Sequence, residues 1–205
     1  MGPLQDPQIS SLSGSTLPLR DEFKLLSSIP LEAIDTTKFI FTDKDTLTVD
    51  YNLRFKKYAN ELIVRFKKKP EDNYKLQILP EGIKDFLGNS NDTLIYNFRT
   101  KKVSDYGNLS LTLQNVNRYP IIVQLLNADN NELVEEIEAQ TNQEFVFRNL
   151  VPAKYKVRLI YDDNGNGKWD TGNFLVKQQP ENVKYYPGIL EVRANWDMTE
   201  TFILK

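Results

Sequence analysis

Phe145-Val146-Phe147-Arg148-Asn149-Leu150-Val151-Pro152-Ala153-Lys154-Tyr155-Lys156-Val157-Arg158 holds two runs in which every second residue is apolar, one on each side of a proline. A period of two puts successive side chains on opposite faces of an extended chain, so each run reads as a half-buried strand. Pro152 lacks an N–H and fixes its φ, which marks the tight connection between them. The inward faces are Phe145 and Phe147 on one strand and Tyr155, Val157 and Leu159 on the other.

The same pattern extends in both directions. Downstream lie Ile189 to Val192 and Thr201 to Leu204; upstream lie Leu133 to Ile137, Ile121/Val123/Leu125 and Leu109/Leu111/Leu113. Between Lys101 and Gly107 the alternation lapses, and a domain boundary is expected there. Before it come Leu94/Tyr96/Phe98, Tyr74/Leu76/Ile78, Leu62/Val64/Phe66, Leu47 through Leu53, and Phe39/Phe41. No run sustains an i, i+3, i+4, i+7 pattern, and Leu31 to Ile34 makes at most a short turn of helix. Ten prolines and nine glycines punctuate the runs, a spacing that favours sandwiches over βαβ units. The expected fold is all-β: two β-sandwich domains in series, residues 20–103 and 104–205, behind a flexible tail or linker at 1–19.

The 205 residues carry a formal charge of −2, with no cysteine and no histidine. Thiol catalysis, disulfides, thiolate or imidazole metal sites and every Ser-His-Asp arrangement are thereby excluded. Nucleic acid is not an expected partner, because the only dense basic runs, Arg65 to Lys69 and Lys101-Lys102, sit at strand ends, where lysines guard edges. No apolar run approaches the roughly 20 residues of a membrane span. The N-terminus reads as trimmed, so a signal or lipid anchor is expected outside these residues.

One segment has the spacing of a chemical site: Asp162-Asp163-Asn164-Gly165-Asn166-Gly167-Lys168-Trp169-Asp170-Thr171-Gly172-Asn173. Asp162, Asn164, Asn166, the Lys168 carbonyl, Asp170 and Asn173 occupy the positions from which a twelve-residue calcium loop draws its oxygens, with Gly167 at the sharp turn. Asn173 stands where a bidentate Glu is needed, so calcium affinity is expected to be weak, ~10⁻⁴–10⁻³ M at best. The alternative is an Asn-Gly turn without metal. Trp169 is expected to pack. Tyr185-Tyr186-Pro187 with Trp169, Phe174 and Trp196 offer a stacking platform for a glycan, or core. The many carboxylates leave a glycosidase-type acid pair as a distant third.

Residues 20–103 resemble the bacterial Ig-like domains of S-layer-type and Bacteroidetes surface proteins. The residues that carry this are Ser28-Ile29-Pro30-Leu31-Glu32-Ala33-Ile34-Asp35, Ile83-Lys84-Asp85-Phe86-Leu87-Gly88-Asn89 and Leu94-Ile95-Tyr96-Asn97-Phe98-Arg99-Thr100. Residues 104–205 resemble prealbumin-like modules of carboxypeptidase regulatory domains, through Phe145 to Arg158; Ala153 stands where those modules use Gly, so the turn must avoid φ > 0 there or tolerate strain. The order of the two, with Val192-Arg193-Ala194-Asn195-Trp196-Asp197, is similar to Bacteroidetes Ig-like outer-membrane lipoproteins. That resemblance implies a non-enzymatic, extracytoplasmic, lipid-anchored protein at the outer membrane or cell surface. An envelope protein is the expected partner, and a surface glycan, bound by a carbohydrate-binding module, is the alternative.

Overall fold

The computed structural model describes residues 8–12, 14–172, 174–175 and 177–205. Among them the chain forms strands and two short 3-10 turns, Thr36–Lys38 and Val103–Asp105, and no α-helix. It divides into two compact units, Met1–Val103 and Ser104–Lys205, and each is a β-sandwich.

The first unit contains β1 (Ile9–Ser11), β2 (Thr16–Leu17), β3 (Phe23–Ser27), β4 (Leu31–Ile34), β5 (Phe39–Asp43), β6 (Tyr51–Phe55), β7 (Glu61–Phe66), β8 (Asn73–Ile78), β9 (Ile83–Asp85) and β10 (Leu94–Thr100). Sheets ordered β1-β3-β7-β6 and β2-β10-β8-β5 supply the two layers, and β4 pairs with β9. Alternation decides which side chains enter the core. Tyr74, Leu76 and Ile78 of β8 are buried while Asn73 and Lys75 face out. The core between the layers is strongly aromatic. Phe23 of β3 stacks on Phe98 of β10 with ring centroids 4.2 Å apart, and Phe41 meets Phe66 edge-on at 4.8 Å. Such pairs add ~0.5–1.5 kcal/mol each beyond their buried area.

Three local features depart from the sequence-based expectation. Within the stretch read as a tail, β1 pairs with β3, and β2 pairs in parallel with β10. Leu17 is fully buried. The Tyr96 hydroxyl donates to the Ile9 carbonyl at 2.9 Å, and burial pushes its pKa up to about 12. Strands of two and three residues are too short to display alternation. Leu31–Ile34 is a strand and not a turn of helix. Its register with β9 shifts between Leu31 and Ala33, and the bulge lets Leu31 and Ile34 both reach the core. A bulge in a strand thus imitates the i, i+3 spacing of a helix. Leu47 lies in a turn before β6 and is 61% exposed.

The second unit contains β11 (Gly107–Gln114), β12 (Ile121–Asn127), β13 (Leu133–Ala139), β14 (Glu144–Leu150), β15 (Ala153–Tyr161), β16 (Val183–Tyr185), β17 (Leu190–Val192) and β18 (Asp197–Ile203). One layer is ordered β14-β11-β18; the other is β13-β12-β15-β16, with β17 also on β15. The unit's first and last strands, β11 and β18, pair in parallel. Phe145, Phe147, Tyr155, Val157 and Leu159 all lie in its core. The Tyr155 hydroxyl donates to the Val151 carbonyl at 2.6 Å, holding the Pro152 turn. The left-handed residue of this region is Asn149, at φ 53°, and not Ala153. A register shift opposite Gly107 and Leu109 places an extra residue on β14, and Asn108 Oδ1 accepts from the Asn149 N–H at 2.9 Å. Gly107 is required here by approach: a Cβ would lie 2.4 Å from the Arg193 carbonyl oxygen.

Candidate functional site

The segment after β15 leaves the sheet at Asp162, whose N–H donates to the Pro120 carbonyl at 3.2 Å. Asp162 is 3% exposed, so its carboxylate must be met by donors. Oδ1 accepts from the Asn166 N–H at 3.1 Å and Oδ2 from the Gly167 N–H at 2.9 Å. The chain can curl this tightly because Gly165 and Gly167 adopt φ 71° and 72°. At Gly167 a Cβ would also come within 2.8 Å of Glu138 Oε1 from β13.

Four of the residues expected to ligate calcium are brought together. Asn166 Nδ2 donates to Asp170 Oδ2 at 2.7 Å, and Asn164 Nδ2 donates to the same oxygen. The Asn166 N–H also reaches Asn164 Oδ1 at 3.1 Å. Lys168 enters this network through its N–H, which donates to Asn166 Oδ1 at 2.8 Å. Asn173, the sixth expected ligand, lies outside the described residues.

Sequence spacing missed Glu181, which is 8% exposed and closes the loop from eleven residues beyond Asp170. Its Oε1 accepts from the Asp163 N–H at 2.9 Å and its Oε2 from the Asp170 N–H at 3.0 Å. Its own N–H donates to the Asp170 carbonyl at 3.1 Å, and its carbonyl accepts from Trp169 Nε1 at 3.2 Å. The available signal was an acid just before β16; its distance from the motif hid it. Asp163 is turned away into a bidentate pair with Arg118, at 2.6 and 3.2 Å. The hydrogen bond from Arg118, and then its charge, hold the Asp163 carboxyl below the usual range. Arg118 in turn lies 4.1 Å over the Tyr161 ring.

The loop is therefore a turn organised by the carboxylates of Asp162, Asp170 and Glu181, with the amide nitrogens of Asn164 and Asn166 turned toward Asp170. Each carboxylate offers about four lone-pair sites, and the backbone N–H groups use only some of them. Among the described residues no three carboxylates gather into a metal-binding group by themselves; the amides of Asn164 and Asn166 would have to turn their oxygens inward.

The aromatic residues do not form one platform. Tyr186 packs edge-on against Phe202 at 5.7 Å, and its hydroxyl donates to Glu200 at 2.8 Å. Trp169, 45% exposed, belongs to the loop at the Tyr161 end of β15. Trp196, its indole beneath the Arg193 guanidinium at 5.5 Å, follows β17, which pairs with the Ala153 end. The nine residues of β15 put those ends roughly 25 Å apart, at ~3.3 Å per residue.

No family model matches the chain, and no curated protein sequence matches it. Among solved structures, it is similar to the N-terminal part of the bacterial S-layer protein SbsC, at 12% identity and a TM-score of 0.43, covering 98% of this chain and 45% of that one. It is also similar to native α2-macroglobulin from Escherichia coli over domains MG0-NIE-MG1, at 12% identity, 91% and 88% coverage and a TM-score of 0.40. The Bacillus cereus major pilin subunit BcpA follows at 10% identity, 97% and 70% coverage and 0.33. These are distant likenesses of β-rich architecture.

Proposed function

We propose that the chain is a non-enzymatic binding or scaffold module of a bacterial envelope protein, outside the cytoplasm at the outer membrane or cell surface. Its lipid anchor would lie outside these residues, and its partner would be another envelope protein. What carries the reading is where large apolar side chains are exposed. In the first unit, Tyr58 and Phe86 are 55% and 59% exposed and form an edge-on pair 5.5 Å apart. Their loops are fixed, since the N–H groups of Tyr58 and Phe86 donate to Leu31 and Pro30 carbonyls, each at 2.8 Å. In the second unit, Phe174 and Leu175 are 95% and 90% exposed. Large apolar side chains held out in this way suit a desolvated contact with a protein. The carboxylates with altered titration favour a non-catalytic reading. Asp35, Asp43 and Asp163 are all held below the usual range by hydrogen bonds, led by Thr37, Lys69 and Arg118 respectively. A general acid needs the opposite shift.

Capture from detergent-solubilised envelope is the test. The parent chain should retain a discrete protein that Tyr58→Ser/Phe86→Ser or Phe174→Ser/Leu175→Ser loses. Equal retention by both double variants would remove these loops as the contact.

A carbohydrate-binding module is the second reading, favoured by an exposed face of cations and amides on the first unit. The 162–181 loop is proposed as a weak, structural calcium site, on the convergence of Asp162, Asn164, Asn166 and Asp170.

A further inference from the structure

The outer face of the β2-β10-β8-β5 sheet carries cations and amides on its two central strands. Its inward residues, Tyr74 and Phe98, fill the core, so the residues that alternate with them must point to solvent. These are Asn73 and Lys75 on β8 and Asn97 and Arg99 on β10, all exposed. The register sets Lys75 directly opposite Asn97, and Arg99 directly opposite Asn73. Cation and amide therefore alternate along and across the two central strands, at about 4.8 Å across and roughly 6.5 Å along. Lys44, just after β5, joins them around a surface cavity of about 410 Å³.

Two of the acids that border this face, Asp43 and Asp72, are already engaged. Asp43 takes the Lys69 ammonium at 3.0 Å on Oδ2 and the N–H groups of Asp45 and Leu47 on Oδ1. Asp72 is 3% exposed, and its Oδ1 accepts from the Asn73 N–H. Asp45 is exposed beside Lys44 and bears no ion pair among the described residues. Among the described residues Lys44, Lys75 and Arg99 have no carboxylate partner. Three cations against the single open carboxylate of Asp45, around one concavity in a chain of net charge −2, favour an anion as occupant.

We propose that this face binds an acidic polysaccharide, one bearing uronate carboxylates or sulfate esters. The proposal rests on the carbohydrate-binding reading for its ligand class and gives that reading a place. The interleaved amides Asn73 and Asn97 favour glycan over peptide. β8 is paired along both edges, to β10 and β5, whereas β2 covers β10 only at Arg99 and Thr100; in either case the ladder's N–H and C=O groups lie in the plane of the sheet and not on its face. A ligand lying on this face therefore meets side chains. Asn73 and Asn97 each offer both donors and an acceptor, which matches hydroxyl groups. Arg99 can take a carboxylate or sulfate through its planar fork, and Lys44 and Lys75 act as mobile point charges.

The full chain should be titrated with polygalacturonate and with dextran sulfate, alongside unmodified dextran and poly-glutamate, at low and at physiological salt. Binding of at least one acidic polysaccharide is expected, weakened by salt because exposed charges are screened. Lys75→Glu/Arg99→Glu should reduce it by about tenfold or more, each reversed charge replacing attraction with repulsion. All these positions are exposed, so the variant should melt like the parent; Asn73→Ala/Asn97→Ala should weaken glycan binding without changing net charge. Three results would overturn the proposal: no binding of either acidic polymer, binding indifferent to the charge reversal, or equal affinity for poly-glutamate, which would make the face a general anion surface. If unmodified dextran bound and the reversal left it unchanged, a glycan site would exist elsewhere, so this face would fail while the carbohydrate-binding reading survived.

Discussion

Asp43 shows how one side chain can fix a corner of the first sandwich. It ends β5 at 6% exposure, binds the turn N–H groups of Asp45 and Leu47 at 3.1 Å each, and takes Lys69 at 3.0 Å. All three bonds favour the ionised form, so its pKa lies below the ordinary 3.8, with the Lys69 bond the largest cause. A depressed acid stabilises the fold fully above its unfolded pKa and ceases to do so as pH falls through its folded value. The melting temperature of the parent should therefore exceed that of Asp43→Asn at about pH 6, and the gap should close by about pH 2. A gap constant across that range would mean the charge is immaterial. The strand at Phe39/Phe41 was legible from alternation. The role of Asp43 was not, because Lys69 lies 26 positions away and only the pairing of β5 with β8 brings them close.

The 162–181 loop shows the limit of motif spacing at the scale of an element. Gly165 and Gly167 were legible as turn residues, and Asp162, Asn164, Asn166 and Asp170 do converge. Glu181 was not legible, since nothing in a twelve-residue motif points to an acid beyond it. If the loop takes calcium weakly, about 5 mM Ca²⁺ should raise the melting temperature. Ten times a ~0.5 mM Kd supplies about 1.4 kcal/mol through linkage. Mg²⁺ should do less, because it gives up its water reluctantly. Asp170→Ala should abolish the calcium response, and Glu181→Gln should unsettle the loop even without calcium, by weakening its hold on the Asp163 and Asp170 N–H groups. Melting curves indifferent to both Ca²⁺ and EDTA would leave an Asn-Gly turn organised by its own carboxylates.

At the scale of the whole molecule, each unit has its own two layers and its own core cluster. Residues 8–103 and 104–205, produced separately, should each show a β-type spectrum and a cooperative melt. Two unfolded halves beside a folded whole would show that each depends on the other. The first fragment needs its N-terminal residues. Starting it at residue 20 would delete β1, β2 and the buried Leu17, and should lower its melting temperature. The sequence alone determined the all-β class and the inward faces of the long strands, because a period of two is a local property of the chain. It could exclude cysteine and histidine chemistry for the same reason: composition has no geometry. The short strands β1 and β2, the bulge behind Leu31 and Ile34, the separation of Trp169 from Trp196 and the chequered face of Lys75, Asn97, Asn73 and Arg99 were decided only by tertiary structure. Each depends on which strand lies beside which and in what register, and pairings across tens of residues leave no periodic mark in the sequence.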